Sequence, residues 1–172
     1  MELWDLYDAN RALTGETLQR GQLIPAGRYH LVVHVAVFDH AGRMLIQQRQ
    51  PFKEGWPNLW DITVGGSALA GESSPQAAER EMLEEIGLKI DLSDAQPVLT
   101  IFYDVCFDDV YVITREVDPA SLTLQYEEVQ AVRWATEEEV LRMLEAGTFI
   151  PYHRGYLELL FRLRTARGVL QP

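Results

Sequence analysis

The sequence predicts a single mixed-sheet α/β (α+β) sandwich, and three observations carry that expectation. The 172 residues fit one domain with its own core, at roughly 100–200 residues per domain. Strand-like apolar runs stand before, between and after stretches of helical period. No linker, internal repeat or low-complexity tract divides the chain.

Residues 1–27 are polar, with turn signals at Asp8-Ala9-Asn10 and Thr14-Gly15. They read as a hairpin or arm ahead of a main body spanning 28–172. Tyr29–Phe38 is the strongest strand signal, and an Asp39-His40-Ala41-Gly42 turn leads to a second strand, Met44–Arg49. A loop with Pro51, Gly55 and Pro57 ends at Trp60, where a short strand to Val64 runs into Gly65-Gly66. Pro75–Ile86 reads as a helix, with Ser73 or Ser74 as its cap and Gly87 just past its end. Two further strands follow at 98–106 and 110–115, then another at 129–135. Helices at 136–145 and 152–165 complete the chain; Glu137, Glu138 and Glu139 lie in a first turn, where acids suit the macrodipole.

Charge narrows the function classes. With 15 Lys+Arg against 26 Asp+Glu the net charge is −11, which argues against nucleic acid as the main partner and against anionic lipid. Cys106 stands alone, so no internal disulfide forms, as suits a reducing compartment. The start, Met1-Glu2-Leu3-Trp4-Asp5, lacks the basic-then-apolar layout of a signal peptide. No apolar run approaches the roughly 20 residues of a membrane span. The expectation is a soluble cytoplasmic protein.

The segment from Gly66 to Leu88 departs from generic composition. It reads Gly66, five residues, Glu72, seven residues, then Arg80-Glu81-Met82-Leu83-Glu84-Glu85-Ile86-Gly87-Leu88. On a helical wheel Glu81, Glu84 and Glu85 fall within an arc of about 100°, with Ala78, Met82 and Ile86 on a roughly opposite arc. The helix is therefore expected to bury one side and aim its carboxylates from the other. Uncompensated, such neighbours each cost a few tenths of a kcal/mol, and close packing raises at least one pKa. A hard divalent cation removes that penalty, and Mg²⁺ keeps waters and substrate phosphates in its remaining positions. The plainer reading is a solvated acidic face with Arg80 paired to Glu84; the glycines and Glu72 in register argue against it.

Every specified position of G-x5-E-x7-R-E-U-x-E-E-x-G-U, with U aliphatic, is filled here, and the chain resembles the Nudix superfamily. The resemblance implies an α/β/α sandwich and Mg²⁺- or Mn²⁺-dependent cleavage of a nucleoside diphosphate linked to another moiety. It implies Glu81 and Glu85 as metal ligands, Glu84 as a further one, and the Gly65 carbonyl completing the shell. Arg80 would orient the carboxylates, Glu72 would tie the loop to the helix, and Glu81 or Glu84 would take the proton of the attacking water. The run Tyr126-Glu127-Glu128-Val129 through Trp134 resembles the E-V-x4-W pattern of some members, which nominates Glu128 as an additional catalytic glutamate. A small-molecule diphosphate is the implied partner, and frequent dimers in the family allow for a homodimer.

A narrower resemblance is to isopentenyl diphosphate isomerase, through Arg49-x3-Lys53-x2-Trp56-Pro57-x2-Trp60 and Gly71-Glu72-Ser73. It nominates Arg49 and Lys53 as diphosphate contacts, a clear use for two cations in an acidic chain. The isomerase motif T-N-S-V-C-G-H-P corresponds here to Asp61-Ile62-Thr63-Val64-Gly65-Gly66-Ser67-Ala68. Its essential cysteine thus falls at Gly65 and a metal-binding histidine at Ser67, so hydrolysis is the better reading. His30 matches an isomerase metal ligand, but one histidine does not rebuild that site.

The remaining conspicuous residues have structural readings. His30 and His34 share one side of a strand, where histidines satisfied by packing are more usual than a metal pair. Cys106 is a small buried hydrophobe. Trp60 and Trp134 read as core, and Trp56 as a loop bracket or a stacking surface. His153 stands at the start of the terminal helix, near enough in sequence to approach a cleft.

Overall fold

The computed structural model describes residues 2–166 and 168. Met1, 167 and 169–172 lie outside the described residues, and with them the last stretch of the expected span 28–172. Strands β1 (Leu3–Tyr7) and β2 (Leu13–Gln19) form an antiparallel ribbon. Tyr7 bridges Tyr29 through backbone hydrogen bonds of 2.8 and 3.0 Å, which anchors the ribbon to the main body.

The main sheet holds β3 (His30–Phe38), β4 (Met44–Arg49), β5 (Trp60–Asp61), β6 (Val64–Ser67), β7 (Leu99–Tyr103), β8 (Cys106–Thr114) and β9 (Val129–Ala135). It is mixed: β3 runs parallel to β8 from His30↔Cys106 to Phe38↔Thr114, and the other pairings are antiparallel. Three helices cover it, α1 (Ser74–Ile86), α2 (Glu137–Glu145) and α3 (Arg154–Leu163). Among the described residues no helix is long and apolar enough to cross a membrane.

The side-chain alternation of β3 sorts the layers. Leu31, Val33, Val35 and Val37 pack with Ala78, Met82 and Ile86 of α1. Ala36 and Phe38 pack with Leu157, Leu160 and Phe161 of α3. The result is the expected α/β/α sandwich, with both sheet faces covered, so its central strands read as almost continuous apolar runs.

Two strand expectations need correction. The strand expected from Trp60 to Val64 is two strands on different neighbours: β5 pairs with β4 and β6 with β3. Thr63 makes the crossing possible, because its Oγ1 accepts from Val37 N at 2.9 Å while donating to Leu45 O. The strands expected at 98–106 and 110–115 meet earlier, at a turn through Asp104 with φ 47°. Asp108 and Asp109 mimic a turn in the sequence, yet both lie buried inside β8. Partners on other elements satisfy them: His34 for Asp108, and Arg11 with Thr100 for Asp109.

Candidate active site

Helix α1 is delimited as its sequence suggests. Ser73 N donates to Gln76 Oε1 at 2.9 Å at the start. Gly87 ends it at φ 68°, with Gly87 N and Leu88 N donating to Leu83 O and Met82 O, both at 3.1 Å. The loop before it is tied down by Glu72, whose Oε2 accepts from Leu69 N at 2.8 Å.

Arg80 is the hub of this region. Its Nε lies 2.7 Å from Glu72, and its terminal nitrogens reach Glu81 at 2.8 Å, Glu84 at 3.0 Å and the Ser67 carbonyl at 3.0 Å. Burial pulls the Arg80 pKa down, but the surrounding carboxylates reverse this and raise it. The wheel expectation for α1 is corrected here: the acidic arc adjoins the apolar one and does not oppose it. Glu85 is only 5% exposed, while Glu84 is the outlying member, its side chain 51% exposed.

Strand β6 explains why two glycines stand in front of this helix. Gly65 pairs with His34 and Gly66 with Val33 across β3, so consecutive residues face opposite sides of the sheet. A Cβ at Gly66 would overlap the Glu81 carboxylate, and one at Gly65 would overlap the His34 ring. Each glycine thus makes room for one polar side chain, one on either face.

On the α1 face the space in front of Gly65 and Gly66 is a cradle of about 160 Å³. Glu81, Glu84, Glu85 and Glu128 line it together with the cations Arg49 and Lys53. The structure therefore brings all the sequence-nominated side chains together. Lys53 is ion-paired with Glu128. Arg49 Nε donates to the Gly55 carbonyl at 2.9 Å, and the residue lines both the cradle and its neighbouring cavity. Glu2 and Arg20, paired at 2.7 Å, also reach the cradle from the β1–β2 region. Nothing in their local sequence marks them, since only the docking of the ribbon places them there.

The electrostatics of the cradle suit a hard cation. Burial pushes the Glu85 pKa up to about 8, and Glu81 adds to the rise. Burial also raises Glu81, against the lowering effect of Arg80. Gln47 Nε2 donates to Glu85 at 3.0 Å, while Gln47 Oε1 is buried with no hydrogen-bond partner. The donors are all oxygens, which is the ligand type Mg²⁺ and Mn²⁺ prefer. Among the described residues, no three acidic, histidine or cysteine side chains already converge as a metal cluster. Arg80 and Lys53 meanwhile occupy Glu81, Glu84 and Glu128. The residues fit a divalent cation in kind, and seating one requires these pairs to loosen.

Behind β6, on the α3 face, lies a larger cavity of about 530 Å³. His34 Nδ1 lies 2.8 and 2.9 Å from the two oxygens of Asp108. Burial lowers the His34 pKa, but Asp108 more than offsets this and the net shift is upward. His30 is engaged elsewhere, its ring stacked on Trp4 at 4.3 Å, and burial lowers its pKa to about 4. The two histidines are thus engaged separately: His34 is hydrogen-bonded to Asp108, whereas His30 is held by stacking and its Nδ1 is buried with no hydrogen-bond partner. Asp61 and Tyr152 also line this cavity, as does His153, the N-cap of α3. The only sequence sign of this group is a set of polar residues embedded in apolar strands.

The comparisons agree with the geometry. The family model for the NUDIX domain matches residues 28–159. The chain belongs to the Nudix family. It is 49% identical over 169 residues to an uncharacterised Nudix hydrolase of Listeria monocytogenes, covering 98% of this chain and 99% of that one. It is 32% identical over 146 residues to a Nocardia farcinica protein named isopentenyl-diphosphate Delta-isomerase, covering 77% and 79%. The crystal structure of DR0079 from Deinococcus radiodurans matches with a TM-score of 0.73 at 25% identity, over 94% of this chain and 99% of that one. The matched Nudix span begins beyond Glu2 and Arg20, so two cradle residues come from outside it.

Proposed function

We propose that this Nudix protein is a Mg²⁺- or Mn²⁺-dependent hydrolase. It cleaves a diphosphate linkage in a nucleoside diphosphate derivative or a related small molecule by attack of water on phosphorus. The observation that carries this reading is the convergence of Glu81, Glu84, Glu85 and Glu128 with Arg49 and Lys53 on one cradle. Glu81 and Glu85 would hold the metal, with Glu128 and the Gly65 carbonyl as further ligands. Bound there, a divalent cation lowers the pKa of water and neutralises charge growing on phosphate oxygens.

The chain's own residues do the rest. Arg49 and Lys53 clamp the phosphates, and Lys53 exchanges its Glu128 partner for substrate. Arg80 holds Glu81 and Glu84 in position. Glu84, the most exposed of the three helix carboxylates, is the base that takes the proton from the attacking water. Isomerisation of an isoprenoid diphosphate is disfavoured by the space at Gly65, where a cysteine side chain would overlap the His34 ring.

A ³¹P NMR time course with Mg²⁺ tests the proposal. The panel holds ADP-ribose, a sugar nucleotide, nucleoside di- and triphosphates, a dinucleoside polyphosphate and isopentenyl diphosphate. New phosphate resonances from at least one component, absent in Glu84→Gln, are expected. A moved double bond in the isoprenoid's proton spectrum without phosphate release would overturn hydrolysis in favour of isomerisation. Tight binding of a nucleotide without turnover would make the protein a sensor.

A further inference from the structure

Strand β1 is tied to the turn that leads into helix α1, and the tie completes the hydrogen bonding of that turn. Leu69 N donates to Glu72 Oε2 at 2.8 Å, and Glu72 N donates to Leu69 O at 3.0 Å. The two amides between them face the ribbon. Ala70 N donates to Leu3 O and Gly71 N to Asp5 Oδ2, both at 2.7 Å. Two carboxylates thus grip one turn, Glu72 from within and Asp5 from the ribbon. Gly71 sits at φ 86°. A glycine visits that region as readily as others, so its partner, and not its own sterics, holds it there.

The turn matters because of what Glu72 holds. Glu72 accepts from Arg80 Nε at 2.7 Å and from a terminal Arg80 nitrogen at 3.0 Å, a two-pronged pair with defined orientation. Arg80 in turn reaches Glu81 and Glu84. Asp5 is therefore linked to the cradle carboxylates through Gly71, Glu72 and Arg80. The ribbon itself does not depend on Asp5. Leu6 is buried, Trp4 stacks on His30, Tyr7 pairs with Tyr29 through the backbone, and Arg11 is ion-paired with buried Asp109. Removing the Asp5 carboxylate should leave the ribbon docked and release only the turn.

Resting on the metal-dependent reading of the cradle, we propose that Asp5 is a positioning residue for this site. By holding Gly71 it fixes Glu72, and through Glu72 the guanidinium of Arg80 that orients Glu81 and Glu84. A residue of the N-terminal ribbon, ahead of the matched span 28–159, thereby sets the geometry of the carboxylates that take the metal.

The test compares the unmutated protein with Asp5→Ala, Asp5→Asn and Glu16→Ala. Glu16 of β2 pairs with Arg28 and serves as the control on the same ribbon. Asp5→Asn removes the charge but keeps an oxygen that accepts from Gly71 N, so a plain electrostatic effect of Asp5 would appear in both Asp5 variants. The first readout is the Arg80 Nε–H resonance of the metal-free protein in a ¹⁵N-resolved NMR spectrum. It is expected to be sharp in the unmutated protein, Asp5→Asn and Glu16→Ala, and broadened by exchange with water in Asp5→Ala. The second readout is Mn²⁺ affinity by calorimetry. Asp5→Ala should bind about tenfold more weakly, the scale of losing an outer partner of metal ligands. Asp5→Asn and Glu16→Ala should stay within about threefold of the unmutated value. All four should melt within about 3 °C of one another, as for substitutions outside the core. An Arg80 signal indifferent to Asp5→Ala, Mn²⁺ bound as tightly by Asp5→Ala as by the unmutated protein, or a loss shared by Asp5→Asn or Glu16→Ala would each overturn the role of Asp5. No Mn²⁺ binding by the unmutated protein, with the Arg80 signal still lost in Asp5→Ala, would remove the metal reading and keep Asp5 as the residue that positions Arg80.

Discussion

The two faces of strand β6 are built on different principles. On the α1 face, one helix and the loop before it supply a dense local run of charged groups, Glu72, Arg80, Glu81, Glu84 and Glu85, within a short stretch of chain. On the α3 face, His34, Asp61, Asp108 and Tyr152 come from β3, β5, β8 and the segment before α3. The first face pairs its carboxylates with Arg80 and Lys53, and a metal ion seated there would replace some of those pairings. The second satisfies its carboxylates internally, through His34 and Tyr152. A local constellation can be strained and metal-ready because one helix holds it in register. A dispersed one must be stable before any ligand arrives.

The largest effect should separate the faces by turnover. Glu85→Gln is expected to lower kcat by about 10²–10⁴-fold, the usual worth of an acid–base or metal-holding carboxylate, while a melt shows the fold intact. Retained turnover would break the assignment of the α1 face.

The two adjacent glycines sharpen the contrast. Gly66→Ala presses on the far end of the flexible Glu81 side chain, which can swing away. It should cost little stability but about 10–100-fold in activity, as expected for a displaced ligand. Gly65→Ala presses on the stiff His34 ring, so the cost should appear in urea unfolding as about 1–3 kcal/mol. If the two substitutions behaved alike, β6 would not be the divide between two differently built sites.

A pH slope separates the faces in another way. The folded metal-free protein holds a proton on Glu85 up to about pH 8, whereas an ordinary glutamate loses it near 4.5. The folded state therefore binds more protons in that window, and stability should fall as pH rises from about 4.5 to 8. Melting in EDTA across this range should show the decline, and Glu85→Gln should flatten it. A slope unchanged in the variant would remove Glu85 as its source.

How much of this was legible follows the same division. The box helix could be read from Gly66 to Leu88 because its groups share one local period, and its carboxylates do meet Arg80, Arg49 and Lys53 at one cradle. The sandwich was legible because the apolar run of β3 and the caps of α1 are local signals. The relation of Glu85 to the core was misjudged, since at 100° per residue Glu85 falls about 20° from Ala78 and so beside the apolar arc, not opposite it. Asp108 and Asp109 imitated a turn, because a sequence does not show that His34 and Arg11 await them. Glu2 and Arg20 carried no signal at all, since their place depends on how the ribbon docks.

The most direct test is Mn²⁺ binding followed by the loss of its free-ion electron paramagnetic resonance signal. It compares the unmutated protein, Glu85→Gln and Asp61→Asn. Binding that survives Asp61→Asn and weakens at least about tenfold in Glu85→Gln is the predicted result, on the scale of lost metal-site support. Undiminished binding in Glu85→Gln, or an equal loss in Asp61→Asn, would contradict a metal held on the α1 face alone.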